Sequence, residues 1–188
     1  MDAILEATIR IFENQSLEAA TTTRIAEVAG VSVGTLYHHF EDRNAIVNAL
    51  QDREFDRALA LMADVLSSDN LGRAPRETVE KVVRGLAILY AASPGLHRVL
   101  AIEGLRVASA DRVHAFDLRV IAIIRSFLTA SRAQVRCEDL EAASFTAYQS
   151  VRATMLACLL ERPAGLSIET LVAQVVDLVV RYLVRDDA

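Results

Sequence analysis

Residues 34–39 hold the side chains best suited to grip a surface of phosphates and hydrogen-bonding edges: Thr35, Tyr37, His38 and His39, with Gly34 near the start. Tyr and His reach phosphate oxygens or base edges, and Thr either hydrogen-bonds or meets a thymine methyl. The same residues are poorly placed for catalysis. Adjacent side chains on a helix point about 100° apart, so His38 and His39 do not readily share a metal ion. Asp111 and His114 are three apart and within reach of each other, but no Ser or Cys nucleophile stands near them. The chain has no Gly-rich phosphate loop, no HExxH and no CxxC. The reading is therefore of a binding protein, not an enzyme, with no catalytic residue, no metal and no cofactor.

Two short helices must position that segment. The first is predicted over Thr22–Ala29, with Thr21 as N-cap and Gly30 as its stop. The second follows Ser32, a good N-cap, and runs to about Phe40. Ile25, Ala26 and Ala29 are small or apolar and let the two helices approach, Gly30 makes the tight turn, and Val31 anchors it. Leu36 and Phe40 are four apart and share the inward face, which leaves the polar and aromatic residues outside. This is the logic of a helix-turn-helix, whose second helix enters the major groove of double-stranded DNA.

The rest of the chain also reads as helical. Ile4, Thr8, Ile11 and Phe12 recur at helical spacing, and the polar stretch Glu13–Ser16 ends that segment. Longer helices are predicted over about 44–66, 76–92, 94–107, 111–131, 139–160 and 167–184, broken at Ser67–Gly72, Ser93-Pro94-Gly95 and Arg162–Gly165. The fold class is all-α, with about nine helices and no strand pattern. The last helix is apolar on more than one side, so it needs more than one cover. One cover is its own core and the other a second subunit. The candidate dimer face is Leu140, Ala147, Val151, Leu171, Val175, Leu178, Val179 and Tyr182, on the last two helices.

The chain has 188 residues, 53% of them apolar, which is enough for a substantial core and excludes disorder. Cys137 and Cys158 do not make a disulfide framework and read as free thiols buried in helices. No signal peptide and no apolar run long enough to span a membrane is visible, so a soluble cytoplasmic protein is expected. The net charge is -5, and residues 1–50 carry Asp2, Glu6, Glu13, Glu18, Glu27, Glu41 and Asp42 against Arg10, Arg24 and Arg43. Charge alone therefore argues against nucleic acid, and non-specific DNA affinity should be modest.

The segment Thr21–Phe40, above all Gly30-Val-Ser-Val-Gly-Thr-Leu-Tyr-His-His-Phe40, resembles the DNA-binding signature of the TetR/AcrR family of transcriptional regulators. Ile4-Leu5-Glu6-Ala7-Thr8 and Ile11-Phe12 resemble the family's first helix. The resemblance is specific over roughly residues 3–50. It implies a helix-turn-helix DNA-binding domain over 1–44 and a helical effector-binding and dimerisation domain over 45–188. It also implies a homodimer through the last two helices, a palindromic DNA operator, and a small-molecule effector that releases a repressor. The DNA contacts it implies are Thr22, Thr23, Val33, Gly34, Thr35, Tyr37, His38, His39 and Arg43. Val33 stands where many members carry Lys, Thr23-Arg24 departs from the commoner basic–acidic order, and a basic arm before the first helix is missing. Candidate pocket residues are Tyr90, His97, Glu103, His114, Phe116, Thr154 and Met155. An inward Glu103 would suit a cationic or hydrogen-bonding effector. The alternative is a helical protein-interaction regulator of the same fold that has lost effector-controlled DNA binding.

Overall fold

The computed structural model describes residues 1–15, 17–67, 69, 73–107, 110–161 and 164–185, with the side chains of 103–107 and 110 outside the description. The described residues form nine α-helices: α1 (Asp2–Asn14), α2 (Thr22–Ala29), α3 (Val33–His39), α4 (Arg43–Val65), α5 (Pro75–Ala92), α6 (Pro94–Val107), α7 (Ala110–Ala130), α8 (Leu140–Glu161) and α9 (Ile168–Leu183). The all-α expectation holds, with most ends within a residue of those read from the sequence. Among the described residues, no single helix is long and apolar enough to cross a membrane.

Local chemistry explains the ends. Thr21 Oγ1 accepts the Arg24 N–H at 3.2 Å and starts α2. Gly30 ends it at φ 69°, ψ 28°, a left-handed conformation that L side chains resist. The Val31 N–H then reaches back to the Ala26 carbonyl at 3.0 Å, a six-residue closure typical of glycine-capped helices. Ser32 Oγ caps α3 through the Thr35 N–H at 3.0 Å, and Asp42 Oδ1 caps α4 through the Ala45 N–H at 2.7 Å. One boundary differs in kind. Phe40 lies outside α3, in extended backbone at φ -139°, ψ 125°, yet its side chain is still buried. Its burial comes from the turn after the helix and not from helical spacing.

The helices gather into two compact units, Met1–Asp56 with Tyr90–Val113, and Arg57–Leu89 with His114–Ala188. The core of the first joins Ile4, Ile11 and Phe12 of α1 to Ile25 of α2, Leu36 of α3, Ile46 and Leu50 of α4, and Leu96 and Leu100 of α6. Helix α6 thus packs with the helix-turn-helix. In the second unit, Leu59 and Met62 of α4 pack with Val120 and Ile121 of α7 and Tyr148 of α8. The Tyr148 hydroxyl donates to Asp117 Oδ1 at 2.5 Å. Arg76 bonds Asp177 at 2.5 Å, tying α5 to α9, and holds that carboxyl below the usual range by hydrogen bond and charge. The residues flanking α9 and α7 pair through a bridge between Val135 and Val184. Cys137 lies in this linker, not in a helix, and is only half-buried; its thiol donates to the Tyr182 carbonyl at 3.2 Å. The expectation of a buried helical thiol fails there because the chain is tied down by backbone pairing instead.

Candidate nucleic-acid interface

Helix α3 is seated by one side chain. Leu36 is 0% exposed, while Val33, Gly34, Thr35, Tyr37, His38 and His39 are all exposed. The helix is only seven residues long, so a single inward anchor suffices and the remaining surface is free to meet a partner. Ser32 Oγ and Thr35 Oγ1 lie 2.8 Å apart, so the capping serine also orients the threonine. The rings of His38 and His39 meet edge to face at 5.3 Å.

Contacts proposed from separate helices come together. The Tyr37 hydroxyl lies 3.2 Å from Thr22 Oγ1, which joins the exposed start of α2 to the middle of α3. Thr23 is exposed beside it. Arg43 opens α4 and is half-buried; its Nη1 donates to the Leu17 carbonyl at 3.4 Å. That bond holds the guanidinium close to the 3-10 turn Leu17–Ala19 instead of leaving it as a mobile surface cation.

Four of the acidic residues of this region are engaged within the chain. Glu27 pairs with Arg24 at 2.8 Å and Glu6 with Arg53 at 2.8 Å, while Asp42 serves as a cap. Glu13 accepts the N–H groups of Gly95 and Leu96. Helix α3 itself contains no acidic residue. A sum of charges over the segment therefore misrepresents the face that the helix presents.

The pocket candidates are dispersed. In the first unit, the rings of Tyr90 and His97 lie 4.7 Å apart. His97 is buried, with Nδ1 2.9 Å from the Ser93 carbonyl and Nε2 3.5 Å from Glu54 Oε2. In the second unit, Phe116 packs on the Leu59–Met62–Val120 cluster, Met155 is buried, and Thr154 is half-buried with its hydroxyl on the Ser150 carbonyl. His114 is exposed. The side chain of Glu103 lies outside the described residues. Glu13 and Glu54 also take part in contacts that their sequence context does not announce. Neither carries a local signal, because each meets a partner more than 40 residues away.

A capped glycine turn followed by a short helix, seated by one leucine and exposed elsewhere, defines a helix-turn-helix protein. Residues 4–50 match the family model "Bacterial regulatory proteins, tetR family", and residues 74–183 match "Tetracyclin repressor-like, C-terminal domain". The chain belongs to the TetR family of bacterial regulators. It is similar to the transcriptional repressor AcnR of Corynebacterium glutamicum, at 35% identity over 77 residues, 41% of this chain and 39% of that one. The chain spans only 30–46% of the length of the first curated relatives it matches. The fold is that of SmeT, the repressor of the Stenotrophomonas maltophilia multidrug efflux pump SmeDEF, with a TM-score of 0.78 at 19% identity over 98% of this chain and 90% of that one. It is also that of Thermus thermophilus FadR in complex with lauroyl-CoA, with a TM-score of 0.69 at 23% identity over 100% and 96%.

Proposed function

We propose that the chain is a one-component transcriptional repressor, a homodimer that binds a palindromic operator through α3 and leaves it when a small molecule occupies its C-terminal helices. The observation that carries this reading is α3 itself: six exposed residues able to contact DNA on a helix fixed by Leu36, with Tyr37 braced by Thr22. The matching C-terminal family model and the effector complexes of similarly folded repressors, SmeT with triclosan and FadR with lauroyl-CoA, support effector control. Thr22, Thr23, Val33, Gly34, Thr35, Tyr37, His38, His39 and Arg43 are the proposed DNA contacts. Phe116, Thr154 and Met155, in one compact unit, are proposed as candidate effector contacts, and Tyr90 and His97, in the other, as a separate candidate pair. The protein acts in the cytoplasm and uses no chemistry of its own.

The dimer face is narrower than its sequence pattern. Ala147, Val175 and Val179 are buried within the chain's own core, and Leu140, Val151 and Leu171 are half-buried. Among the described residues, α8 exposes Phe145 and Leu160 and α9 exposes Ile168, Leu178 and Tyr182; of these, Phe145, Leu178 and Tyr182 are proposed to meet the second copy. A homodimer reads successive major grooves when its two α3 helices stand about 34–36 Å apart.

Tyr37→Ala tests the interface. The side chain is half exposed, so its loss should leave the urea midpoint unchanged while operator affinity falls about ten- to hundredfold. A gel shift with the DNA upstream of the protein's own coding region reads the change, and wild-type affinity in the variant would remove α3 from the contact. Salt dependence gives a separate check. With few arginines free to neutralise phosphate, the slope of log K against log salt should be about -4 or shallower. A slope near -10 would mean that a basic surface elsewhere carries the binding.

A further inference from the structure

Helix α6 packs against α1 through Leu96 and Leu100, and a side-chain cap ties its first turn to the end of α1. Pro94, Gly95 and Leu96 form its first turn, whose amides find no acceptor inside the helix. Glu13, in the last turn of α1, supplies both missing acceptors: Oε2 takes the Gly95 N–H at 3.1 Å and Oε1 takes the Leu96 N–H at 2.9 Å. A carboxylate at a helix N-terminus is further favoured by the partial positive charge there. The two backbones also touch. A Cβ on Gly95 would lie 2.5 Å from the Phe12 carbonyl oxygen and 2.9 Å from the Glu13 Cα. Only glycine allows this approach, so the joint has no slack.

The same end of α1 is also held by its side chains. Ile9, Ile11 and Phe12 are buried in the core that also holds Ile25 of α2 and Leu36 of α3. Movement of the α6 N-terminus must therefore either break two charge-assisted hydrogen bonds or carry the end of α1 with it. Its effect would then pass through packed side chains to the base of the recognition helix. His97 Nε2 lies 3.5 Å from Glu54 Oε2 of α4, and Glu13 is the side chain that caps α6 from α1.

We propose that Glu13 is a positioning residue that couples α6 to α3, with the bidentate cap made in the operator-binding state and released when the repressor leaves DNA. This inference rests on the repressor reading above and adds the residue through which the two states communicate. By linkage, if α6 influences DNA binding, then DNA binding must influence α6 to the same degree.

The test is amide hydrogen exchange on the full-length protein, with and without an operator duplex selected from a random library. In the wild type, operator should slow exchange of the amides from Gly95 to Leu100 about fivefold or more, the lower range of typical coupling. Glu13→Ala should still bind operator but lose that protection. Glu13→Gln, which keeps one acceptor oxygen without the charge, should be intermediate and covers the case in which the alanine variant does not fold. A purely structural role would lower stability in both variants and leave the operator-induced protection intact, which would overturn the proposal. Absence of protection in the wild type would overturn it as well. Failure to select any operator would instead overturn the repressor reading, so the two failures are distinguishable.

Discussion

Leu178→Glu is expected to turn the protein into a monomer and to lower its affinity for a palindromic site by about 10²- to 10⁴-fold, the range lost when two linked binding events become one. Leu178 is 55% exposed on a helix whose neighbouring turns, Val175 and Val179, are already buried inside the chain. The substitution therefore costs the isolated subunit little. In a two-fold interface, each copy meets the same surface on its partner. Phe145, 54% exposed, and Tyr182 belong to that surface, and a carboxylate placed among them would be buried unpaired in both copies. Light scattering after gel filtration reads the mass directly. A variant that stays dimeric would place the subunit contact elsewhere.

Leu36→Ala acts on the opposite side of the same logic. The side chain is fully buried among Ile25, Ala26, Phe40 and Ile46, and it is the only residue of α3 that enters the core. Truncation should cost about 2–5 kcal/mol, visible as a lower urea midpoint. DNA binding should weaken with it, because Leu36 is the one side chain of α3 that enters the core. The contrast with Tyr37→Ala is informative, since neighbours on one helix then separate cleanly into a residue that seats it and a residue that reads DNA. Equal stability in the Leu36 variant would mean that α3 is held by something other than its leucine.

The elements were legible in the sequence because their signals are local. Thr21, Ser32, Asp42 and Ser167 each cap a helix through an amide two or three residues inside it, and Gly30 ends α2 with its own backbone. The recognition segment was legible for the same reason, since Leu36 and its exposed neighbours lie within seven residues. What could not be read depends on distant parts of the chain. Glu13 ends a helix in the sequence, but in the fold it caps another one 82 residues on. Phe40 is buried from an extended position, and Cys137 is placed by the pairing of Val135 with Val184. Val175 and Val179 were assigned to a partner because apolar spacing alone does not tell which cover, self or second copy, lies over each stripe. The charge of the first 50 residues misled for a related reason: Glu6, Glu13, Glu27 and Asp42 are engaged in ion pairs and caps, and none lies on α3.

The most direct measurement is selection of binding sites from a randomised duplex library, followed by determination of how many chains occupy each duplex. The expected result is an enriched sequence with two-fold symmetry, its half-sites about one helical turn apart. Two chains should be bound to it, and Tyr37→Ala should bind it about ten- to hundredfold more weakly. Recovery of no preferred sequence, or of an asymmetric site bound by a single chain, would contradict it.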